Sequence, residues 1–468
     1  MASSWQLYFS NHISLPLPPF GGSYTHQPQR TASPTVVLLS REGTYFGQRP
    51  WPYGSMVEGG SRANTSCING DETVLVLQIN AASAAQIASA EAHVRVFHSP
   101  DWQSARAVAA ARADSIHKPS RDVLVHYSRE SPLMFPADLD VEYTSLFEMH
   151  SGYHRSRSTY WWPYIVNRGH DHWLRRLRHP QANVRWRDRN TSRLLITAVS
   201  NCADYAGRRQ YLAALRRTLG DQFINLGSCI PSGGPSRPVL NRQVVDKDKG
   251  RNERAFISKG FFYLAIENAN CEDYITEKLG RALLYGVVPV VFDAPQSLAG
   301  GPTVESGAPL IPGYSKALPP GSYINIADYP DAEALAAHLK HVASNATAYN
   351  AYLWPHRGAR SLEELKQRWP QHVDLDKSGG VPRTTPYSPS ERPECRLATA
   401  ALRLRREAAA RGTLMPRLAP DTGCLPPNQL CHFIRGPEGT CKPGGIGDRV
   451  RPVAVKKATK GNRYGSVK

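Results

Sequence analysis

The 468-residue chain has no apolar run long enough to cross a membrane. Before residue 100 the best stretches are Val36-Val37-Leu38-Leu39 and the alternating run 73–79. Both fall far short of the roughly 18–20 apolar residues that a spanning helix needs. The N-terminus has no charged head followed by an apolar run, so it does not read as a secretory signal. Acidic residues are the minority, 39 Asp and Glu against 57 Lys and Arg, for a net charge of +18. That balance favours polyanionic or phosphorylated partners, or an anionic surface, and says nothing of the fold. No C-x-x-C pair occurs, which excludes zinc-ribbon and thioredoxin spacing. Composition also excludes collagen, a coiled coil and a polytopic membrane protein.

What is present suits a packed core. Hydrophobic residues make up 41% and charged residues 21%, and the length fits about two domains. The 36 Gly and 37 Pro imply long irregular segments. Of eight cysteines, Cys395, Cys424, Cys431 and Cys441 crowd into the last 74 residues. In a Pro-rich tail with little core of its own, they read as disulfide staples formed in an oxidising compartment, against free thiols in a disordered tail. Three N-glycosylation sequons start at Asn64, Asn190 and Asn345. From residue 380 the chain carries 17 Lys and Arg against 6 Asp and Glu, so this stretch holds +11 of the +18. No basic run there is interleaved with aromatics, so it reads as a solvated tail and not as a nucleic-acid platform.

Four regions follow. Residues 1–70, rich in Ser, Pro and Gly, read as a leader or stem-like linker. Residues 71–185 read as a first folded domain. Strand-like Thr73–Ile79 is followed by a small-residue helix over Ala81–Ala90, and Leu124–Tyr127 is a further strand. Residues 190–360 read as a parallel α/β domain. Its strands are Arg193–Val199, Phe223–Gly227, Phe261–Ile266, Val287–Phe292 and Tyr323–Ile326. Its helices are Arg208–Leu219, Tyr274–Tyr285 and Ala332–Val342. Phe261–Ile266 is apolar throughout, as a strand buried on both faces requires. Residues 380–468 form the basic, Cys-containing tail.

In an open parallel sheet, ligands bind outside the carboxyl ends of the strands. The loop Glu267–Asp273 is such an end, and the helix after it aims its N-terminus at that crevice, where an anion is favoured. Glu277 and Lys278 lie in the first turns. There a Lys can meet a diphosphate and a Glu can accept hydrogen bonds from ribose hydroxyls. On spacing alone, an exposed Glu-Lys pair on a solvated helix face is the blander reading.

The literal string carries more. Phe262-Tyr263-Leu264-Ala265-Ile266-Glu267-Asn268, Asp273-Tyr274-Ile275-Thr276-Glu277-Lys278-Leu279 and Gly286-Val287-Val288-Pro289-Val290-Val291 together resemble the signature of the α-1,3/4-fucosyltransferases, glycosyltransferase family 10. Ile266 stands where that family usually has Phe, and Gly280 where Trp is common. Val199-Ser200-Asn201-Cys202, Arg208 and Leu226-Gly227-Ser228-Cys229 resemble a second family segment, and Glu130-Ser131-Pro132 its E-S-P loop. Tyr153-His154-Arg155 to Pro163-Tyr164 resembles a third only loosely, with Arg157 and its neighbours in place of acids. The resemblance covers about residues 120–360 and leans toward the plant-type enzymes that modify the N-glycan core.

The resemblance implies a GT-B fold, two Rossmann-like domains facing across a cleft, the C-terminal one holding GDP-fucose and the N-terminal one the acceptor. It implies inverting transfer of L-fucose to an N-acetylglucosamine of a glycan. Glu130 is the implied base. Arg208 (or, one register along, Arg209) and Lys278 would neutralise the diphosphate, Glu277 would hold the ribose, and Asn268 and Tyr274 would line the donor pocket. No metal is required by this design, a divalent cation such as Mn²⁺ acting at most as a stimulant. Asp138-Leu139-Asp140 and Asp246-Lys247-Asp248 match D-x-D by letter and read as surface acids. The expected partners are GDP-fucose and an N-glycan or glycoprotein acceptor, with no nucleic acid. The expected place is the lumenal face of the Golgi cisterna membrane, through an anchor that this sequence does not contain. The alternatives are a transferase of lactosamine-type antennae, an enzyme of this fold with another nucleotide sugar, and a dead transferase fold that binds polyanions.

Overall fold

The computed structural model describes residues 34–42, 64–69, 72–112, 121–154, 158, 160–161, 184–202, 204–229, 253–295, 310–318, 321–353, 393–411, 423–425 and 428–434. The chain divides into two units. One comprises residues 1–127, 145–160 and 387–418, the other residues 128–144, 161–386 and 419–468.

The first unit is built on a seven-stranded sheet of order β2-β3-β1-β4-β5-β6-β7. Its strands are β1 Thr35–Glu42, β2 Asn64–Asn69, β3 Glu72–Gln78, β4 Ala92–His98, β5 Asp122–Ser128, β6 Met149–Gly152 and β7 Tyr160–Trp161. β1 pairs in parallel with β3 and β4, and β4 with β5. Every residue of β4 and β5 is buried, as central strands of a parallel sheet covered on both faces should be. Two of these strands arise in the stretch read above as a leader. Val37 and Leu38 are wholly buried in β1, so that short apolar run is a central strand. The stretch read as a tail contributes too. Helix Pro393–Arg411 packs on β1 to β4, and a Cys67–Cys395 disulfide ties it to β2 across 328 residues. Arg406 adds ion pairs to Glu72 and Glu91 at 2.7 and 2.6 Å.

The second unit has an all-parallel sheet of order β14-β11-β10-β8-β9: β8 Leu195–Thr197, β9 Phe223–Asn225, β10 Phe262–Leu264, β11 Val288–Val291 and β14 Ile324–Asn325. A two-stranded ribbon of β12 Ala294–Pro295 and β13 Leu310–Ile311 lies beside it in sequence. Successive residues of a strand point to opposite faces, and the two cores follow that alternation. Leu195, Phe262, Leu264, Val288 and Val290 pack with Leu212 and Leu215 of helix Arg208–Leu219 and with Leu335 and Leu339 of helix Ala332–Ser344. Ile196, Tyr263, Val287 and Val291 pack on the opposite side with Ile275, Leu279 and Leu283.

Helix Glu277–Tyr285 begins three residues later than its apolar spacing predicts. Thr276 ends the preceding loop by accepting a hydrogen bond from the Lys278 N–H, and Asp273, at φ 60°, holds the chain out of helical geometry. Asp140 is exposed and caps the Glu142 N–H at 2.8 Å, whereas Asp138 is buried, because the turn Pro136–Leu139 carries it inward. The surface reading of that acidic pair therefore holds for Asp140 alone. Asp246-Lys247-Asp248, Arg155 to Arg157 and the Pro163-Tyr164 stretch lie outside the described residues.

Candidate active site

At the carboxyl end of β10 the chain leaves the sheet through Glu267 and Asn268 and re-enters regular structure at Thr276. Glu267 is the anchor of this turn. Its side chain is fully buried and accepts from the Thr276 N–H and hydroxyl, each at 2.8 Å, and from Lys278 Nζ at 2.9 Å. Lys278 also donates to Thr276 Oγ1 at 2.8 Å and lies 3.6 Å from Glu277. The ammonium is thus fixed at the first turn of the helix, beside the free N–H groups that attract anions. A buried carboxylate needs such a set of donors, since an uncompensated one is very costly.

Glu277 keeps 40% exposure of its side chain. Crowding by its neighbours would push its carboxyl up, but Lys278 and Arg281 outweigh that and hold it at about 2. It is therefore an anion at any working pH and an acceptor for hydroxyl donors. Arg281 is itself braced by Glu253 at 3.1 Å.

Arg208 lies beneath this turn. It is 2% exposed, and its guanidinium donates to the carbonyls of Asn201 at 2.7 Å and Ile266 at 3.5 Å. It therefore bridges the loops that follow β8 and β10. Burial lowers its basicity, and Asp204, Glu267, Tyr274 and Glu277 act against that. Asp204 also receives the backbone N–H groups of Arg208 and Arg209. Arg209 itself is exposed, so Arg208 is the inward member of the pair.

The loop after β8 is held close to the loop after β9. A Cβ on Gly227 would lie 2.1 Å from the Val199 carbonyl oxygen, so only glycine permits this approach. Asn225 bonds the Val199 N–H and carbonyl at 2.9 and 3.3 Å, and a Cys202–Cys229 disulfide closes the pair. Asn268 joins the same assembly through its carbonyl, which accepts from Tyr205 and Ala206 N–H groups at 2.6 and 3.1 Å. Its side-chain Oδ1 is buried and has no hydrogen-bond partner among the described residues. The Tyr274 hydroxyl donates to Glu130 Oε2 at 3.1 Å.

Five of the six residues singled out in the sequence are thus linked by contact or field. Glu130 meets Tyr274, Tyr274 and Glu277 act on Arg208, and Glu277 meets Lys278. Asn268 lies on the same loop. Sequence reasoning assigned nothing to Glu267, Thr276 or Asp204. For Glu267 the available signal is its place at the end of an apolar strand, where a carboxylate next to Asn268 must find donors. Among the described residues, no group of three or more His, Cys, Asp or Glu side chains could hold a metal ion.

An α/β domain with a capped helix start, a fixed ammonium and a buried guanidinium at the carboxyl ends of its strands has the arrangement with which open parallel sheets can hold a phosphate-bearing ligand. Residues 188–373 match the family described as "Glycosyltransferase family 10 (fucosyltransferase) C-term". This stretch resembles the C-terminal domain of that family. Alpha-(1,3)-fucosyltransferase 4 of Bos taurus is 32% identical over 160 residues, which are 34% of this chain and 33% of that protein. GDP-fucose protein O-fucosyltransferase 3 of Gallus gallus is 30% identical over 202 residues, 42% of this chain and 38% of that protein. The matched part thus spans little more than a third of these relatives' length. A crystal structure of an alpha1,3-fucosyltransferase with GDP-fucose aligns at 14% identity with a TM-score of 0.40, covering 71% of this chain and 85% of that one. That likeness is too loose to bear on the site.

Proposed function

We propose that the chain is a fucosyltransferase that uses GDP-fucose and forms an α-1,3 linkage to N-acetylglucosamine of a glycan, with the N-glycan core as acceptor. The observation that carries this reading is the Glu277-Lys278 turn over Arg208, inside a stretch that matches a fucosyltransferase family.

The chemistry assigned to it is one in-line displacement. An acceptor hydroxyl oxygen attacks C1 of the β-linked fucose, and the bond from C1 to the phosphate oxygen breaks with its electron pair leaving on GDP. Glu130 takes the hydroxyl proton, and its bond from Tyr274 keeps the carboxylate aligned. Lys278 and Arg208 stabilise the negative charge that grows on the diphosphate, the task a metal ion performs in other transferases. Glu277, anionic throughout, accepts from the ribose hydroxyls. Asn268 presents its unpartnered Oδ1 to the donor. The reaction is accordingly expected to proceed with EDTA present.

The protein is further assigned to the lumen of the Golgi. The three disulfides among the described residues suit an oxidising compartment. The sequon asparagines Asn190 and Asn345 are exposed. No helix among the described residues is long and apolar enough to cross a membrane.

The test is transfer of labelled fucose from GDP-fucose, with EDTA present, to three acceptors: a paucimannose N-glycopeptide, free N-acetyllactosamine, and a peptide hydroxyl. The third is included because one relative is named as a protein O-fucosyltransferase. Product on the glycopeptide supports the reading. Product on lactosamine or peptide alone replaces the acceptor and keeps the donor chemistry. No product from folded, GDP-binding protein refutes it.

A further inference from the structure

The C-terminal cysteine segment is woven into the candidate site. Residues 423–425 add a strand-like bridge to the signature loop. Cys271 pairs with Cys424, the Glu272 N–H donates to Gly423 O, and the Leu425 N–H donates to Asn270 O, both at 2.7 Å. A disulfide joins Cys271 to Cys424 across 153 residues. Residues 428–433 then grip the loop that leads into Arg208. The Asn428 N–H donates to Tyr205 O at 2.6 Å and the Leu430 N–H to Ala206 O at 2.9 Å. Packing there is so close that a Cβ on Gly207 would lie 2.6 Å from Cys431 Sγ. Leu425 and Leu430 are buried in the domain core, and the Phe433 ring meets Phe292 edge-on at 5.5 Å.

Cys271 also faces the Glu130 loop. The Ser131 hydroxyl, itself fully buried, lies 3.3 Å from Cys271 Sγ. A disulfide sulfur carries no proton, so the hydroxyl donates. The Tyr274 N–H donates to Cys271 O at 3.0 Å, one residue-pair away from the hydroxyl contact to Glu130. Three chain segments distant in sequence therefore converge on one half-cystine: the Glu130 loop, the signature loop and the C-terminal segment.

From this convergence we infer that the C-terminal segment is a clasp belonging to the reaction site, and that Cys424 and Ser131 act through Cys271 as positioning residues for Glu130 and Arg208. The inference rests on the proposed function for the roles of those two residues. A basic, solvated tail would place no demand on any of these contacts. A clasp places a specific one: its loss should move the base and the guanidinium while leaving the sheet intact.

The experiment uses the full chain and three proteins: wild type, the double variant Cys271→Ser/Cys424→Ser, and Ser131→Ala. Amide hydrogen exchange is followed at 128–134, 204–208 and 332–344, together with kcat, KM and GDP affinity. In the double variant, exchange should rise about tenfold at 128–134 and 204–208 and stay unchanged at 332–344, because opening is local. Misplaced catalytic groups should lower kcat by about tenfold to a hundredfold, well beyond any change in acceptor KM. Ser131→Ala should raise exchange at 128–134 and lower kcat with an unaltered melting temperature. Unchanged exchange at 128–134 in both variants overturns the clasp. So does a rise spread equally over 332–344, which would mark a merely stabilising bond. If the double variant does not fold, Ser131→Ala decides by the same readings. A wild type that binds GDP without transferring fucose refutes the proposed function, while the exchange readings still judge the clasp.

Discussion

Lys278 has two employers in this structure, and a double-mutant cycle separates them. Its Nζ is 2.9 Å from Glu267, whose side chain is fully buried, while Lys278 keeps 14% exposure. Lys278→Met removes the nearest counter-ion and leaves the buried carboxylate to the Thr276 donors and the field of Arg208. Breaking a buried pair costs about 3–5 kcal/mol, and the residual exposure puts this site at the lower end, about 3 kcal/mol. For a domain of this size each kcal/mol lowers the melting temperature by about 2–4 °C, so the expected fall is about 6–12 °C. Lys278→Met should also remove charge from the leaving diphosphate, lowering kcat/KM by about 10²–10³, or about 2.7–4 kcal/mol of barrier. Glu267→Gln in the Lys278→Met background then neutralises the orphaned carboxylate while keeping its size. The melting temperature should return to within a few degrees of wild type. Transfer should not return. Differential scanning calorimetry and initial rates with GDP-fucose read the two quantities on the same samples. If the double variant recovers both stability and rate, Lys278 is only the partner of Glu267, and the donor role assigned to it is refuted.

Three further outcomes follow from the same geometry. Glu130→Gln should keep GDP affinity and lose at least about 10²-fold in transfer, the usual worth of a general base; an unchanged rate places the base elsewhere. Tyr274→Phe removes one hydrogen bond to that carboxylate, so a loss of about 10- to 100-fold in kcat is expected, from about 1.5–3 kcal/mol for a bond to a charged group; equal kcat values would show that the hydroxyl does not align the base. Glu277 is held at about 2, below an unfolded value near 4.5. Its contribution to stability is therefore present above about pH 4.5 and lost as the pH falls toward 2. Glu277→Gln should melt lower than wild type at pH 6, with the gap narrowing steadily as the pH falls from about 4.5 to about 2.5. A gap that widens on acidification would contradict the depressed value.

The donor domain was readable in the sequence for a physical reason. Its strands are covered on both faces, so β10 and β11 are continuous apolar runs, and helix Arg208–Leu219 shows its buried leucines at regular spacing. The start of helix Glu277–Tyr285 was harder. Ile275 is buried and in phase with Leu279 and Leu283, so periodicity extends it backwards, whereas Thr276 and the positive φ of Asp273 fix the true boundary. β1 was harder still, since four apolar residues without a turn signal fit a linker as well as a strand. The role of Glu267 and the partners of Cys395 and Cys424 could not be read. Pairing Cys67 with Cys395, or Cys271 with Cys424, is a statement about spatial neighbours 328 and 153 residues apart, and eight cysteines allow too many combinations for composition to choose.

The same blindness explains why charge misled. The +11 of the last stretch suggests a separate solvated tail, yet it sends apolar side chains inward: Leu397, Leu402, Leu425 and Leu430 enter the cores of the two units. Net charge counts what remains in water and is silent about the apolar residues between the charges. Gly207→Ala tests this integration at one atom. At φ 78° an added Cβ costs about 1–2 kcal/mol in backbone conformation alone, and it would also collide with Cys431 Sγ at 2.6 Å. A tail that merely lies on the surface can move aside, and the cost then stops at the backbone figure. A segment held by Leu430, Asn428 and the Cys271–Cys424 bond cannot. The variant should therefore lose more than about 2 kcal/mol, measured by urea unfolding. In a chain already lacking residues 423–468, Gly207→Ala should cost less than in the full chain, so that truncation returns part of the cost of the substitution, because the collision goes with the removed residues. If truncation returns nothing, the collision was never being resisted, and the C-terminal residues are not clamped on Gly207.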